Sequence, residues 1–430
     1  MAWIESVVIH EFWGNHSVDL RFKPDVNFLI GRNGSGKTTA IDIIASSLQI
    51  DGEALERLPF KKIEITLYDA QKRRKPKVTV EKSDGQNLGG EISYKVQDYA
   101  TASADDIRVY LPFLSRGFQT IRDSRGRYIR VPVAEKEVGG LGSLKRDLSS
   151  LISTNWLSIN RISPGRYSSD RPINEAMVDR KAREVSERLE RYFSELSSKA
   201  NLITRNFQRK FFRSLIQIDS DFKLGKSLYD LNLDEESKSL ATIFEKFSVP
   251  QEEYEKDLSG FYAHLKNIQN NKSAGMFDLH DVIPMINAHK IHSLVEQWNE
   301  VVANEKKVLL PRDAFVKILD GMLHRKYAQV LPSGEMIFET SSGKELRILD
   351  LSSGEKQLYI ILGEALLQRD AEWTYLADEP ELSLHVDWQE VLVDNLRALN
   401  PNGQVIFATH SPDIVSHYSD NIISMEKAIR

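Results

Sequence analysis

The sequence predicts an α/β protein whose main domain is built from both ends of the chain, with a helical region inserted between them. Strand-like apolar runs and glycine-rich turns occupy residues 1–171 and 331–430, whereas residues 172–330 carry apolar side chains mainly at helical spacing. We therefore expect an N-terminal part of the domain, a helical insertion and a C-terminal part. A chain of 430 residues with 41% hydrophobic content can bury a core of this size.

The composition excludes several kinds of chemistry and of partner. The chain has no cysteine, which rules out disulfides, thiolate metal sites and thiol nucleophiles. With 57 Lys and Arg against 62 Asp and Glu, its net charge is −5, so a nucleic acid could bind only a local patch. No signal peptide and no long uncharged apolar run are present, so we expect a cytoplasmic protein that does not enter a membrane.

The N-terminal part begins with strands, expected within residues 3–9 and 18–30, followed by a helix from Lys37 to about Leu48. Two hairpins are predicted after it. One covers residues 61–82 with a basic run at its tip, and the other covers residues 122–131.

A phosphate-binding loop is predicted between the apolar strand NFLI and that helix. GRNGSGKT, from Gly31 to Thr38, has the strand, loop and helix setting that such a loop requires. Its glycines let backbone N–H groups face the phosphates, Lys37 can reach the β and γ oxygens, and Thr38 can ligate Mg²⁺. The predicted binding residues are Arg32, Asn33, Gly34, Ser35, Gly36, Lys37, Thr38 and Thr39.

The middle of the chain is predicted to be helical. Its apolar residues recur at the spacing of one helix face, as in Val178, Ala182, Val185, Leu189, Tyr192 and Leu196. This phase lasts only about three heptads before Phe207 shifts it. We therefore expect a short coiled-coil-like arm, or one that folds back, and not a long coiled coil.

The C-terminal part is expected to contain strands in MIFET and ELRILDL, a helix from about Gly354, and strands near 374–377 and 404–408. LSSGEKQ, from Leu351, places hydroxyl groups and a glycine at the helix start, a second candidate anion site. Taken alone, it is also compatible with an ordinary cap in which Ser353 caps and Lys356 is exposed. The predicted binding residues here are Ser352, Ser353, Gly354 and Glu355.

Two further apolar strands are followed by residues with catalytic potential. In YLADEPE, Asp378 can hold Mg²⁺ and Glu379 can polarise an attacking water, although such a run alone could also end a strand in a solvated turn. In VIFATHSP, His410 ends a strand, where it could sense a γ phosphate or be merely structural. The predicted cofactors are ATP and Mg²⁺, with Lys37, Glu379 and His410 catalytic and Thr38 and Asp378 as metal ligands.

These four segments, in this order, resemble the phosphate loop, signature, Asp-Glu pair and switch histidine of the ABC-type ATPases. IESVVIHEFWGNHSVDLRF, DEPELSLHVDWQ and ATHSPDIV are similar to the SMC, RecF and overcoming-lysogenization-defect (OLD) nuclease branch of that family. The resemblance implies an ABC-type ATPase head formed by the N- and C-terminal segments. It also implies a homodimer or higher oligomer, in which ATP at Lys37 of one protomer is covered by Ser352 and Gly354 of another.

One position departs from that family. Its members usually carry a glutamine that touches Mg²⁺ and the attacking water after a middle strand, here NWLSINR. Asn160, Arg161 and Ser163 stand there instead. The position of this loop and the speed of hydrolysis therefore stay open.

The chain also resembles the stand-alone ATPases of two-component antiphage systems of the Septu (PtuA-like) and PARIS (AriA-like) kinds. That implies a regulatory or sensing ATPase with a separate nuclease or toxin effector. Because the sequence ends about 20 residues after His410, where OLD nucleases carry their nuclease domain, we expect no DNA cutting by the chain itself. The alternative is a RecF-like repair ATPase that clamps DNA. A transporter subunit is disfavoured because roughly 310 residues separate the phosphate loop from LSSGEKQ.

Two basic clusters suit contacts with DNA or RNA, namely KRRKPK from Lys72 and RNFQRKFFR from Arg205. The first could equally be a solvated hairpin tip, and the second an amphipathic helix with its Phe residues in the core. Acidic residues between Asp234 and Asp257 predict a solvated helical surface, with the docking of a basic partner as the alternative.

Overall fold

The computed structural model describes residues 2–83, 91–97, 107–112, 118–122, 128–132, 141–157, 177–214, 231–270, 279–368 and 373–430. The chain forms two compact units. The head unit contains residues 1–190, 314–331 and 335–430, and the helical unit contains residues 191–313 with 332–334. Each unit is described by itself below.

The N-terminal part of the head unit follows the predicted order of strands and helices. Both predicted hairpins are confirmed, since residues 62–68 pair antiparallel with 77–83, and residues 118–122 pair with 128–132. The elements are β1 (Trp3–Phe12), β2 (His16–Arg21), β3 (Val26–Ile30), α1 (Lys37–Gln49), α2 (Gly52–Arg57), β4 (Lys62–Tyr68), β5 (Lys77–Ser83), β6 (Glu91–Gln97), β7 (Ile107–Pro112), β8 (Phe118–Arg122), β9 (Tyr128–Pro132), α3 (Leu141–Leu151) and β10 (Ser153–Leu157).

The middle of the chain is helical, as predicted. Its elements are α4 (Met177–Ser214), α5 (Leu233–Lys246), α6 (Gln251–Asn270) and α7 (Leu279–Met322). Residues of α4 and of α7 belong to both units, so the helical unit is narrower than the expected insertion of residues 172–330. None of the helices among the described residues combines the length and apolar character that a membrane span requires.

The helical unit has a core of its own. Phe207 of α4 packs on Trp298 of α7 with ring centroids 5.1 Å apart, and Leu265 of α6 is fully buried beside them in the same cluster. A compact unit with its own core corresponds to the folded-back alternative for the arm. The acidic stretch from Asp234 is exposed as expected except for Glu236, which is buried and bonded to His292.

The C-terminal part returns to the head unit. ELRILDL departs from the expectation, because only Glu345–Leu346 is strand and Ile348–Asp350 forms a 3₁₀ turn. The elements are β11 (Lys326–Val330), β12 (Met336–Thr340), β13 (Glu345–Leu346), α8 (Ser353–Leu367), β14 (Trp373–Asp378), α9 (Val386–Leu399), β15 (Gln404–Ala408), α10 (Pro412–Val415), β16 (Ile422–Ser424) and α11 (Met425–Ala428).

A five-stranded parallel sheet joins the two ends of the chain. Its order is β10-β14-β15-β3-β16, so the N-terminal strand β3 lies between two C-terminal strands. The strands β3 and β15 are almost entirely buried, as expected for parallel strands that are covered on both faces. The predicted α/β head, formed by N- and C-terminal segments, is confirmed.

A second, antiparallel sheet of order β2-β1-β4-β5-β6-β7 completes the core of the head unit. The helix α1 contacts strands of both sheets, which explains why its apolar residues, such as Ile41 and Ile44, are fully buried. Gln404 links the sheets as well, since it accepts a hydrogen bond from the Ile4 N–H at 3.0 Å and donates one to Ile4 O at 2.9 Å. The loop before α1 therefore leads into a helix that is buried against both sheets.

Candidate functional site

Three neighbouring parallel strands deliver the predicted site residues to one edge of the sheet. In the ladder, Asp378 pairs with Ala408, and Ala408 pairs with Leu29. The carboxyl ends of β14, β15 and β3 therefore meet at one edge, the usual position of a ligand site in such sheets. The phosphate-binding loop, the Asp-Glu pair and His410 all follow directly from these strand ends, as the sequence predicts.

The glycines of the phosphate-binding loop are required by its shape. Gly34 and Gly36 have φ angles of 81° and 89°, which residues with a Cβ rarely adopt. A Cβ at Gly36 would also lie 2.8 Å from ring atoms of Phe12, which packs against the loop with Trp13. Gly36 is the N-cap of α1, so the first N–H groups of that helix are left for an anion.

Lys37 is the positive centre of the site. Its Nζ donates to Gly31 O at 3.0 Å and Arg32 O at 3.3 Å, and it lies 2.6 Å from His410 Nε2. Partial burial lowers the pKa of Lys37, and nearby carboxylates, led by Glu379 and Asp378, oppose that change. Because an ammonium group only donates, Nε2 of His410 must accept this hydrogen bond.

Thr38 and Asp378 form the predicted oxygen pair for Mg²⁺. The Thr38 hydroxyl donates to Asp378 Oδ1 at 2.8 Å. One hydroxyl and one carboxylate beside a phosphate-binding loop fit Mg²⁺, which prefers octahedral oxygen ligands and usually keeps waters and substrate phosphates among them. The donor set of the loop therefore fits Mg²⁺-ATP, with Lys37 and backbone N–H groups for the phosphates.

Glu379 leaves the end of β14 in an unusual backbone conformation. Its φ is 47°, in the left-handed region, and its N–H donates to Ala408 O at 2.8 Å. A non-glycine residue with this φ is strained, and such strain clusters at functional sites. The Glu379 carboxylate lies 3.9 Å from His410 Nε2. Glu379 and His410, two of the three predicted catalytic residues, are therefore neighbours at the edge of the sheet.

Sequence reasoning missed Glu381, which organises the loop that carries His410. Its Oε1 accepts hydrogen bonds from the Thr409 hydroxyl at 2.5 Å, from the His410 N–H at 3.0 Å and from the Ser411 N–H at 3.3 Å. The side chain is buried. The second acid of DEPE was visible in the sequence, but its partners lie about 30 residues away. Only the fold brings them together.

The signature segment caps α8 differently from the ordinary-cap alternative. Ser352, and not Ser353, is the N-cap, and it forms a capping box with Glu355. Lys356 is buried and pairs with Asp179 at 2.7 Å, so it is not an exposed first-turn lysine. Ser352 and Ser353 are exposed, whereas Gly354 packs against Ser383, whose O would lie 2.4 Å from a Cβ at that position.

Two more residues that the sequence did not point to touch the site. Glu426 of α11 accepts a hydrogen bond from the Arg32 N–H at 2.7 Å, and this bond lowers the pKa of the Glu426 carboxyl. Gln357 of α8 donates to Pro380 O at 3.1 Å and so links the signature helix to the loop after Asp378. The residues weighed for the missing glutamine, Asn160, Arg161 and Ser163, lie outside the described residues.

The comparison with protein families accounts for most of the chain. Residues 26–416 match the family described as AAA domain, putative AbiEii toxin, Type IV TA system. The chain belongs to this family. The matched range includes the phosphate-binding loop, the signature segment, the Asp-Glu pair and His410 of this AAA-family chain.

Curated relatives of this AAA-family chain are named as retron ATPases. The Retron Ec83 probable ATPase of Escherichia coli is 20% identical over 411 residues, which cover 92% of this chain and 66% of that protein. The Retron Vc95 probable ATPase of Vibrio cholerae serotype O1 biovar El Tor is 34% identical over 86 residues, or 17% of each chain. The chain thus spans at most about two thirds of the length of these relatives.

Among solved structures, the chain is similar to the Smc head domain with an extended coiled coil from Pyrococcus furiosus, which was crystallised bound to the C-terminal domain of ScpA. The TM-score is 0.44 at 16% identity, and the alignment covers 100% of this chain and 98% of that one.

Proposed function

We propose that the chain binds Mg²⁺-ATP and hydrolyses it. The observation that carries this proposal is the convergence of Lys37, Thr38, Asp378, Glu379 and His410 at one sheet edge, directly beside the N-terminus of α1. Each has the chemistry that phosphoryl transfer to water requires, namely charge neutralisation, a metal ligand and a group that orients water. Membership of an AAA family and the relatives named as probable ATPases support the same activity.

The residues of this chain have separate roles in the proposal. The loop N–H groups and Lys37 hold the phosphates, and Lys37 exchanges its present carbonyl partners for phosphate oxygens. Bound Mg²⁺ would neutralise charge on the transferred group, with Thr38 and Asp378 holding the ion. Glu379 would orient and polarise the attacking water, and His410, which neighbours Lys37 and Glu379, would contact the γ phosphate.

We further propose that a second copy of the chain completes the site. The helix α8 is buried along nearly all of its length, whereas Ser352 and Ser353 at its N-terminus are exposed. Three apolar residues near this end are exposed as well. Leu349 precedes it in the chain, and Leu382 and Val386 are close in sequence to Ser383, which packs against Gly354. An exposed helix N-terminus with two serine hydroxyls and an apolar rim suits a second protomer that carries bound triphosphate.

In the cell, we propose that this ATPase regulates a separate nuclease or toxin effector in antiphage defence, in the manner of Septu and PARIS ATPases. The description of the family, with its putative toxin and type IV system, and the retron relatives support a defence role. The test is to purify the tagged chain from its native host and identify stoichiometric companions by mass spectrometry. A nuclease or toxin subunit supports the proposal, whereas recovery of a membrane permease, or of DNA without a protein companion, contradicts it.

The RecF-like alternative would use the basic hairpin and the helical arm, and the cations of the hairpin tip are largely paired. There Arg74 pairs with Asp69 at 3.1 Å, Lys75 with Glu5 at 2.7 Å and Lys77 with Glu64 at 3.1 Å. Cations that are already neutralised contribute little to phosphate binding, which depends on unpaired charge. Three of the five tip cations are thus paired, whereas Lys72 and Arg73 are exposed without an ion pair to a described residue, so the tip has less free charge than its composition indicates.

A further inference from the structure

The C-terminal end of α4 is strongly positive, although the chain as a whole carries a net negative charge. The segment 198–214, SKANLITRNFQRKFFRS, contains five cationic side chains and no acidic one, in a protein of net charge −5. All of it lies in the helical unit. Its cations are Lys199, Arg205, Arg209, Lys210 and Arg213, which we call the basic face.

The cations share one side of the helix. At 100° per residue, all five fall within an arc of about 140°, and all five are exposed. Phe207 points the other way, where it is buried in the core of the helical unit. The amphipathic alternative is therefore correct for Phe207, but Phe212 lies on the exposed side beside the cations and is 66% exposed.

Among the described residues, no carboxylate neutralises this face. None of the five cations makes an ion pair with a residue that the structure describes, whereas three of the five cations of the hairpin tip do. The neighbouring acid Glu305 of α7 is engaged on another side of α4 by Thr204, and it pairs with Lys246 at 3.2 Å. A strip of unpaired cations on a rigid helix keeps its full attraction for a polyanion.

We propose that the basic face binds single-stranded nucleic acid along its phosphate backbone, with Phe212 as a stacking surface for a base. Three of the five cations are arginines, which pair with phosphate oxygens through two N–H groups at once. From Arg205 to Arg213 the helix rises about 12 Å, so its three arginines can contact successive phosphates of one strand. Cations around an exposed aromatic ring are the pattern of single-strand binding.

An anionic membrane is the competing polyanion, and the geometry is against it. A helix that lies on a membrane needs a broad apolar face for the lipid. The apolar side of this helix, with Phe207, is already buried in protein, and among the apolar residues of the segment only Leu202 and Phe212 are exposed. The basic face thus offers charge and one ring, which fits a nucleic acid strand better than a bilayer.

The experiment measures binding of a fluorescein-labelled 20-nucleotide oligo(dT) to the full chain by anisotropy, between 50 and 250 mM salt. We expect Arg209→Ala/Arg213→Ala to weaken binding at least tenfold and to reduce the slope of log K against log salt by about 1.4, or 0.7 for each lost contact. The matched control is Lys306→Ala/Lys307→Ala, which removes the same charge from exposed positions of α7 in the same unit. Circular dichroism must show unchanged helix content in both.

A second pair of variants tests the ring. Phe212→Ala should weaken oligo(dT) binding about fivefold or more, and Phe212→Trp should restore it, because stacking contributes about 1–3 kcal/mol per base. The affinity for a 20-base-pair duplex should change little in either variant. The proposal is overturned if the wild-type chain binds no oligonucleotide, if the control weakens binding as much as the arginine variant, or if only phosphatidylserine vesicles bind the basic face.

Discussion

Lys37 holds a single positive charge in a site that has several carboxylates. Partial burial lowers the pKa of Lys37. Four carboxylates oppose this change by favouring the charged ammonium, namely Glu379, Asp378, Glu426 and Glu381. Its contacts with two loop carbonyls and with His410 keep the ammonium in place between these groups. A bound triphosphate would bring several more negative charges, so Lys37 and Mg²⁺ must together balance them. Lys37→Ala is expected to abolish nucleotide binding for this reason.

Glu379→Gln separates nucleotide binding from chemistry. The side chain keeps its size, so ATP should bind with nearly unchanged affinity, whereas turnover should fall by 10²-fold or more because an amide polarises water poorly. Phosphate release and fluorescent-nucleotide titration measure the two effects. The matched control is Glu390→Gln on α9, an exposed acid, which should leave both unchanged. Full turnover in Glu379→Gln would refute the assignment of this residue as the catalytic group.

Glu381 is predicted to act on catalysis through the position of His410. Glu381→Ala removes the acceptor for the Thr409 hydroxyl and for the N–H groups of His410 and Ser411. Since a displacement of about 1 Å can cost about a hundredfold in rate, we expect a ten- to hundredfold fall in kcat with little change in the affinity for ATP. Glu381→Gln keeps an acceptor oxygen and should recover part of the rate. Equal loss of ATP binding in both variants would contradict a positioning role.

At the scale of elements, the signature helix α8 is joined to the first turns of α4 by charge as well as by packing. Glu364 accepts hydrogen bonds from Arg188 at 2.9 Å and from Asn155 of β10 at 3.1 Å, and pairs with Lys181 at 2.9 Å. Gly363 lets α4 approach, because a Cβ there would lie 2.6 Å from Val185. These contacts hold α8, α4 and β10 together within the head unit.

This junction should make the stability of the head depend on pH. Burial alone would raise the pKa of Glu364, but Lys181 and Arg188 outweigh it, so the pKa lies below the ordinary value of 4.5. The stability it contributes is therefore complete above about pH 4.5 and is lost as the pH falls through the lowered value. At pH 7, Glu364→Gln should lower the free energy of unfolding by about 1–3 kcal/mol. Urea titrations at pH 7 and pH 3.5 should show this difference shrinking.

The sequence predicted the elements of the site better than it predicted the contacts between them. The phosphate-binding loop, the Asp-Glu pair and His410 were recognisable because each follows an apolar strand, and parallel strands end at one edge. Glu364, Glu381, Gln357 and Glu426 were not recognised, because their partners are distant in the chain. For the same reason, the pairing of the hairpin-tip cations with Glu5 and Glu64 could not be read from composition.

At the scale of the whole molecule, the proposed site has two halves with different roles. One half binds the nucleotide, and the other half, from a second protomer, covers it. Ser353 is exposed at the start of α8, so Ser353→Arg should fold and still dimerise, while the bulky side chain blocks the contact of its own signature segment with the triphosphate of the other protomer. Lys37→Ala disables the nucleotide-binding half and leaves the signature segment intact. These two variants therefore damage opposite halves of a composite site.

Mixing the two variants provides the decisive test of a shared site. Each alone should be inactive. In a symmetric dimer, random exchange makes half of the molecules mixed, and each mixed dimer has one intact site, so about a quarter of the wild-type ATPase rate should return. The pair Lys37→Ala and Glu379→Gln is the control, because both damage the same half and no intact site can form. Recovery in the first mixture but not in the second requires Lys37 of one protomer and Ser353 of the other to act in one site across a dimer interface. If neither mixture recovers activity, no site is shared between protomers, and each chain hydrolyses ATP by itself or not at all.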